Sequence, residues 1–162
     1  DRAFVAAIDD VLPDGAAVFQ VPVLDFPETI PPGRMEDYDP LRAYLADTGT
    51  LRWSYGAVKG RPEADWQARV RDDVGLLGAL PGLLGLGFEG LWVDTWGYGD
   101  GSADGAQVAR LPAELGVSPL RSPDGRFLFF DLRPYRERLG RTDAQWRGAA
   151  ERLLGVPPPV GG

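Results

Sequence analysis

The predicted fold is built around residues 16–23, AAVFQVPV, an almost wholly apolar run. Such a run is typical of a strand that is covered on both faces. A helical stripe precedes it at residues 2–11, and residues 88–95, FEGLWVDT, predict another buried strand. Because helical patterns alternate with strands, we expect an α/β fold with a mostly parallel central sheet of about four or five strands flanked by helices.

The remaining elements continue this alternation. Asp39 is the predicted N-cap of a helix that presents Leu41, Tyr44 and Leu45 to the core. Residues 63–80 predict the longest helix.

Further predicted elements complete the chain. Residues 51–58 predict a strand, residues 102–115 a helix, and residues 134–139 and 142–154 two closing helices, with Thr142 as an N-cap. Between them, residues 117–132 predict a C-terminal β-hairpin that adds an antiparallel strand to the sheet.

Length and composition predict one soluble domain. The chain has 162 residues, of which we assign 1–155 to a single α/β domain and 156–162, VPPPVGG, to a Pro/Gly-rich tail. Its formal net charge of −7 argues against nucleic acid or an anionic membrane surface as a partner. Cysteine and histidine are absent, which excludes zinc sites of the usual Cys/His type, a Cys nucleophile and a Ser-His-Asp triad. We expect no metal and no cofactor.

The ends of the chain and its most apolar segment indicate whether it is part of a longer polypeptide and whether it enters a membrane. It begins at Asp1 without a signal peptide and ends in Gly-Gly, so we expect a fragment of a longer polypeptide. Residues 74–93 are apolar but contain Pro81 and several glycines, which makes a membrane-spanning helix a poor interpretation. We therefore expect no direct membrane insertion by this fragment.

Ligands of open α/β sheets bind outside the carboxyl ends of the strands. That rule selects a set of candidate ligand-binding residues at or after three predicted strands: Asp25, Glu28, Trp53, Tyr55, Lys59, Arg61, Asp94, Trp96 and Tyr98.

Each group in this set has a functional and a structural interpretation. The strand-end acids Asp25 or Glu28, Asp94 and Asp131 could form a glycosidase-like acid–base pair or hold a divalent cation. Alternatively, they are N-caps or partners of arginines such as Arg126, and we assign no catalytic residue. The four aromatic residues of the set either form a sugar-binding wall or fill the core. Lys59, the only lysine, is expected to contact an anion or a carboxylate.

Four phrases carry a family resemblance: VFQVPVLDFPE (18–28), LRWSYGAVKGR (51–61), GFEGLWVDTWGY (87–98) and SPDGRFLFFDLRPY (122–135). Together they resemble the C-terminal soluble domain of large bacterial polytopic membrane proteins that look like GT-C-type glycosyltransferases. The resemblance spans most of the chain, from the first predicted strand to the last, with the phrases in the same order.

The resemblance implies an extracytoplasmic, non-catalytic accessory domain of a membrane-bound glycosyltransferase-like protein. Its partners would be the membrane-embedded part of the same polypeptide and an acceptor glycan, and the catalytic acid of the parent would lie elsewhere. Two alternatives remain open. The chain could be a small carbohydrate-active hydrolase that uses its strand-end carboxylates, or a purely structural interaction module.

Overall fold

The computed structural model of the chain describes residues 1–26, 30–54, 57–58, 62–99 and 102–156. The strands are β1 (Ala17–Val21), β2 (Asp25–Phe26), β3 (Arg52–Trp53), β4 (Ala57–Val58), β5 (Phe88–Asp94), β6 (Leu120–Arg121) and β7 (Phe127–Asp131). The helices are α1 (Arg2–Asp9), α2 (Leu41–Ala46), α3 (Pro62–Arg69), α4 (Leu76–Gly85), α5 (Ala103–Leu115), α6 (Arg133–Leu139) and α7 (Asp143–Leu154). Within these ranges, no helix is both long and apolar enough to cross a membrane.

The central sheet has five strands in the order β3-β1-β5-β7-β6. Strand β1 pairs in parallel with both β3 and β5, whereas β5 pairs antiparallel with β7 and β7 antiparallel with β6. The predicted α/β class, with helices flanking the sheet, is confirmed. Parallel pairing is limited to β3, β1 and β5, because β7 of the C-terminal hairpin runs opposite to them and β6, antiparallel to β7, runs in their direction again.

Two apolar layers cover the faces of the sheet. Val18 of β1 packs in a cluster with Phe4 and Ile8 of α1, while the next residue, Phe19, packs in a cluster with Leu83 of α4 and Trp146 of α7. Successive strand residues point to opposite faces, so an apolar run on β1 fills both layers. The strand predicted at residues 16–23 is confirmed as covered on both faces, with bounds of Ala17–Val21.

The connections of β1 make its carboxyl end a switch point. From β1 the chain passes α2 to reach β3 on one side, and then passes α3 and α4 to reach β5 on the other side. Helix α2 contributes to the cluster on one face and α4 to the cluster on the opposite face. In doubly wound sheets, this change of direction opens a crevice at the carboxyl ends of the strands.

The predicted long helix at residues 63–80 is interrupted. A π-helical turn, Val70–Val74, follows α3, and Gly75 then takes φ 72° and ψ 159° before α4 begins. Gln107 of α5 occupies the space beside Gly75, where a β-carbon would lie 2.8 Å from its Oε1. That oxygen accepts a hydrogen bond from the Leu77 N–H at 3.2 Å. The break thus lets a side chain from α5 satisfy a free N–H at the start of α4.

The prediction for α2 is wrong in two respects. The N-cap is Pro40, because the Asp39 carboxylate is bound by Arg126 and by the Glu36 N–H instead of the first turn of the helix. Ala43 is the buried residue of α2, whereas Tyr44 and Leu45 are 60% and 70% exposed.

The predicted strand at residues 51–58 is also divided. Its first part is β3, and its second part, β4, pairs with β2 in a separate two-stranded sheet. Ser54 follows β3, and its hydroxyl accepts a hydrogen bond from the Gln20 N–H at 2.9 Å. A side-chain oxygen thus serves as the acceptor for an amide of β1 just beyond the last residue of β3.

Candidate functional site

Two features lie at the edge of the sheet where β1 and β5 end. One is a buried group of charges around Arg126, and the other is an open pocket beside Val21–Val23. The antiparallel strand β7 begins at this edge, because Phe127 pairs with Asp94, the last residue of β5. The residue before β7, Arg126, is therefore placed beside the strand-end carboxylate.

Asp39, Asp94 and Arg126 form what we call the Arg126 network. The Nε of Arg126 lies 3.0 and 3.1 Å from the two carboxylate oxygens of Asp94, and its Nη2 lies 2.5 Å from Asp94 Oδ2. The same Nη2 is 2.6 Å from Asp39 Oδ2. All three side chains are about 5% exposed or less, so the ion pairs are sealed from solvent.

Additional hydrogen bonds satisfy the carboxylates of the network. Asp94 Oδ1 accepts from the Trp96 N–H at 3.0 Å, and Asp39 Oδ2 accepts from the Glu36 N–H at 2.8 Å. Burial lowers the pKa of Arg126, but the hydrogen bond and charge of Asp94, followed by those of Asp39, outweigh it and raise that pKa. The guanidinium is therefore charged throughout the physiological range.

Trp96 packs against Arg126 and covers the Arg126 network. Two guanidinium groups pack against its ring, with the central carbon of Arg126 4.0 Å and that of Arg34 4.6 Å from the ring centroid. The Arg34 N–H donates to the Trp96 carbonyl at 2.8 Å. Gly33 has a φ of 61°, and a β-carbon there would collide with the same carbonyl oxygen. The loop before α2 can approach Trp96 this closely only with glycine at position 33.

The other strand-end acids of the described residues also have arginine partners. Asp131 is bound by Arg133 at 2.8 Å, and Asp25 by Arg71 at 3.1 Å. No group of three or more acidic side chains in the described part of the chain is arranged to hold a metal ion. These contacts correspond to the structural interpretation of the carboxylates, as N-caps and as partners of arginines.

The pocket lies on the opposite face of the same edge, between the end of β1, the π-helical turn and the start of α5. Its enclosed space is about 40 Å³, room for a few water molecules. Its apolar lining residues are Val21, Pro22, Val23, Val70 and Leu76. Its polar lining residues are Arg71, Tyr98, Asp104 and Gln107. The break before α4 creates one wall of this pocket, since Val70, Arg71 and Leu76 flank it.

Tyr98 is the polar residue of the pocket that the sequence also selects. Burial, and then the negative charges of Asp104 and Asp94, raise the pKa of its hydroxyl, so the group remains neutral and able to donate. Within the described residues, no hydrogen bond involves this hydroxyl.

The structure distributes the predicted site residues over several places. Asp94 and Trp96 belong to the Arg126 network and its cover, and Tyr98 lines the pocket. Asp25 reaches the pocket indirectly, through its ion pair with Arg71.

Trp53 lies apart from these residues. Its ring is 5.6 Å from that of Trp92, and its Nε1 donates to Asp47 at 3.2 Å. The remaining four predicted residues, Glu28, Tyr55, Lys59 and Arg61, lie outside the described residues.

Several residues of the site were not among the predicted ones. Arg126 and Asp39 complete the network, and Arg71, Asp104 and Gln107 supply most of the polar pocket lining. Arg126 could have been predicted from the sequence. The amino end of an antiparallel strand lies at the same edge of the sheet as the carboxyl end of the strand with which it pairs. No comparable signal marks Asp39 or the α5 residues.

A scan against protein-family models, a search of curated proteins and a search of solved structures each found no match to this chain.

Proposed function

We propose that the chain is a non-catalytic accessory domain of a membrane-bound glycosyltransferase-like protein. In this proposal the domain lies on the extracytoplasmic face, packs on the membrane-embedded part of the same polypeptide and contacts the acceptor glycan. The proposal combines the resemblance of the four sequence phrases with the geometry of the carboxyl edge, which is the edge of the sheet where β1 and β5 end.

The observation that carries the non-catalytic assignment is the position of Arg126 between two carboxylates. Because both Oδ2 atoms contact one nitrogen, the nearest oxygens of Asp39 and Asp94 lie no more than about 5 Å apart, close to the spacing of a retaining glycosidase pair. A glycosidase must place the sugar between its two carboxyl groups and protonate one of them. Here the guanidinium fills that space and forms ion pairs with both carboxylates.

The open pocket supports the glycan-contacting part of the proposal. Small-molecule sites are concave, mostly apolar and supplied with a few convergent polar groups, and they occur at the switch points of α/β sheets. The pocket beside Val21–Val23 has this position and this kind of lining, with space for one substituent of a glycan. The Arg126 network, by contrast, offers no comparable access because its side chains are buried.

An exposed apolar surface supports the packing role. Tyr44 and Leu45 are neighbours on α2, and both point outward although they are large and apolar. Tyr38, just before α2, is 62% exposed. Exposed apolar side chains of this size supply the contact area from which a protein interface is built.

Two measurements on the purified chain test the proposal. We expect no hydrolysis of aryl glycosides of common pentoses and hexoses above the buffer rate, and we expect amide chemical shifts to change when neutral oligosaccharides are added. Turnover that is lost in Asp94→Asn would favour the hydrolase alternative. A spectrum that no saccharide perturbs would favour the purely structural module.

The membrane setting has a separate test. The reading frame upstream of Asp1 in the natural gene is expected to encode many hydrophobic segments. When the outer layers of the cells are removed and the cell membrane is left intact, added protease should cleave this domain although the cells are not lysed. A protected domain, or a frame with no hydrophobic segment, would contradict the assigned location.

A further inference from the structure

We propose that a groove between α4 and α7 binds a small organic anion, that is, a carboxylate or phosphate group on an apolar body. Residues of both helices line this α4–α7 groove, among them Gly78, Ala79, Ala149 and Leu153. Its volume is about 290 Å³, at the lower limit of small-molecule sites, which suits one ring or a short chain. The groove shares no lining residue with the pocket beside Val21–Val23, so its ligand is independent of the proposed glycan contact.

The groove exists because α4 and α7 are in close contact along only part of α4. A β-carbon on Gly82 would lie 2.6 Å from the β-carbon of Leu153 in α7. One turn earlier, a β-carbon on Gly78 would meet Val74 at 3.2 Å and no atom of α7 within 4 Å. The close contact thus ends before Gly78, and the lack of a side chain at that position leaves space beside α7.

The base of the groove is apolar. Ala79 of α4 and Ala149 and Leu153 of α7 line it, and each is 4% exposed or less. Val74 lies at its margin and is 37% exposed, which is unusual for a large apolar side chain. The apolar part of a ligand would remove this side chain from water and would itself be removed from water.

Two arginines give the groove its positive charge. Arg141, just before α7, and Arg152, in the last turn of α7, both line it. The guanidinium of Arg152 extends back along its own helix, since a β-carbon on Gly148 would lie 3.4 Å from its Nη1. The guanidinium of Arg141 packs against the ring of Trp146, with its central carbon 5.3 Å from the centroid. Both cations therefore lie along α7 where it borders the groove.

Neither of these arginines has an acidic partner within the described residues. Arg126 and Arg71, by contrast, are bound by Asp94 and Asp25. The described lining of the groove contains no acidic side chain. Guanidinium groups form strong, often bidentate hydrogen bonds with carboxylates and phosphates. Two such groups beside one apolar surface therefore favour an anion with an apolar body over a neutral or cationic ligand.

The experiment is a titration of the whole chain with benzoate and with phenyl phosphate, followed by amide NMR shifts. We expect shifts at Gly78, Ala149 and Leu153. Arg152→Gln should weaken the binding of both probes about tenfold, because it removes charge-assisted hydrogen bonds. Arg147→Gln is the matched control, since Arg147 is also an exposed arginine of α7 but does not line the groove. It should change the affinity by less than about twofold.

A second variant tests the space beside α7. Gly78→Leu places a side chain at the opening and should also weaken the binding of both probes about tenfold. The urea midpoint should not fall, because leucine is favoured over glycine inside a helix and position 78 is exposed. Unchanged affinity in this variant would overturn the placement of the ligand between the two helices.

Two further probes separate the charge from the apolar body. Benzyl alcohol has the ring without the charge, and inorganic phosphate has the charge without the ring. We expect each to bind at least about tenfold more weakly than phenyl phosphate. Equal binding of benzyl alcohol would overturn the anion assignment, and equal binding of inorganic phosphate would overturn the role of the apolar base.

The remaining outcomes concern the site as a whole. Equal losses of affinity in Arg152→Gln and Arg147→Gln would reduce the effect to the net charge of the chain and overturn the site. Shifts confined to residues outside the α4–α7 groove would do the same. If neither benzoate nor phenyl phosphate perturbs the spectrum at about 10 mM, the proposal is wrong.

Discussion

The two sides of the carboxyl edge differ in how their polar groups are used. In the Arg126 network, every charged group meets an opposite charge within 3.1 Å, and the side chains are sealed from water. In the pocket, Tyr98 and Gln107 retain hydrogen-bonding capacity beside an apolar wall. The denser cluster of charges is therefore the structural one, and unused polar groups are the better indicator of a binding site.

The largest effect is expected from breaking the network. Arg126→Met should destabilise the chain by about 3–5 kcal/mol, because Asp94 would remain buried without a counter-ion and Asp39 would keep only a 3.5 Å contact with the partly exposed Arg42. Urea unfolding at neutral pH measures the change. Arg133→Met is the matched control: its ion pair with Asp131 is partly exposed, so the loss should stay below about 1 kcal/mol. Equal losses in the two variants would contradict the structural role of the network.

The contact of Gly33 with Trp96, which covers the Arg126 network, provides the next test. Gly33→Ala should cost about 2–3 kcal/mol, because a β-carbon would collide with the Trp96 carbonyl and the backbone angle is left-handed. Gly15→Ala is the control, since Gly15 also has a positive φ but a β-carbon there would meet nothing within 4 Å. Its cost should be about 1 kcal/mol. If urea unfolding gives the same value for both, the loop does not depend on the close approach at Trp96.

A smaller, pH-dependent effect is expected at the turn that carries Arg126. The Ser122 hydroxyl, and then the Arg126 N–H, lower the pKa of Asp124 below its usual 3.8. Because the folded pKa is the lower one, the ionised group stabilises the fold above its unfolded pKa, and this contribution is lost as pH falls through the folded pKa. Asp124→Asn should therefore lower the urea midpoint at about pH 6, and this difference should shrink as pH falls below 3.8. A difference that is constant across this range would contradict the prediction.

The smallest effect is expected in the pocket. Tyr98→Phe should change the free energy of unfolding by less than about 0.5 kcal/mol, because no hydrogen bond of the described residues is lost. Tyr135→Phe removes a 3.0 Å hydrogen bond to Glu114 and should cost about 1 kcal/mol. A large loss in Tyr98→Phe would mean that its hydroxyl already serves the fold, and the contrast between the two sides of the edge would disappear.

The sequence predicts the main elements well where local patterns determine them. The sequence correctly predicts β1 and β5. Each is a short, almost continuous apolar run, which is typical of a strand buried on both faces. The Thr142 N-cap is confirmed by a complete capping box with Gln145. The hairpin at residues 117–132 is likewise confirmed, since β6 and β7 flank its predicted turn.

The errors arise where a distant residue changes the local preference. The helix predicted at 63–80 breaks at Gly75, which takes a φ of 72°, and Gln107 from another helix fills the space beside it and bonds to Leu77. Asp39 has the sequence context of an N-cap, but a guanidinium from the far end of the chain binds it. In the candidate site, Asp94, Trp96 and Tyr98 follow from the strand-end rule, whereas Asp104 and Gln107 depend on where α5 packs.

The Arg126 network also links distant parts of the chain during assembly. Its members come from the loop before α2, the end of β5 and the start of β7, and Asp94 and Arg126 are 32 residues apart. A chain still lacking the hairpin would hold Asp94 with no cation beside it in the interior. Docking of the last strand and burial of these charges are thus one cooperative event, and contacts of such sequence separation form slowly. Strand β7 and the cation that neutralises Asp94 thus come to this edge together.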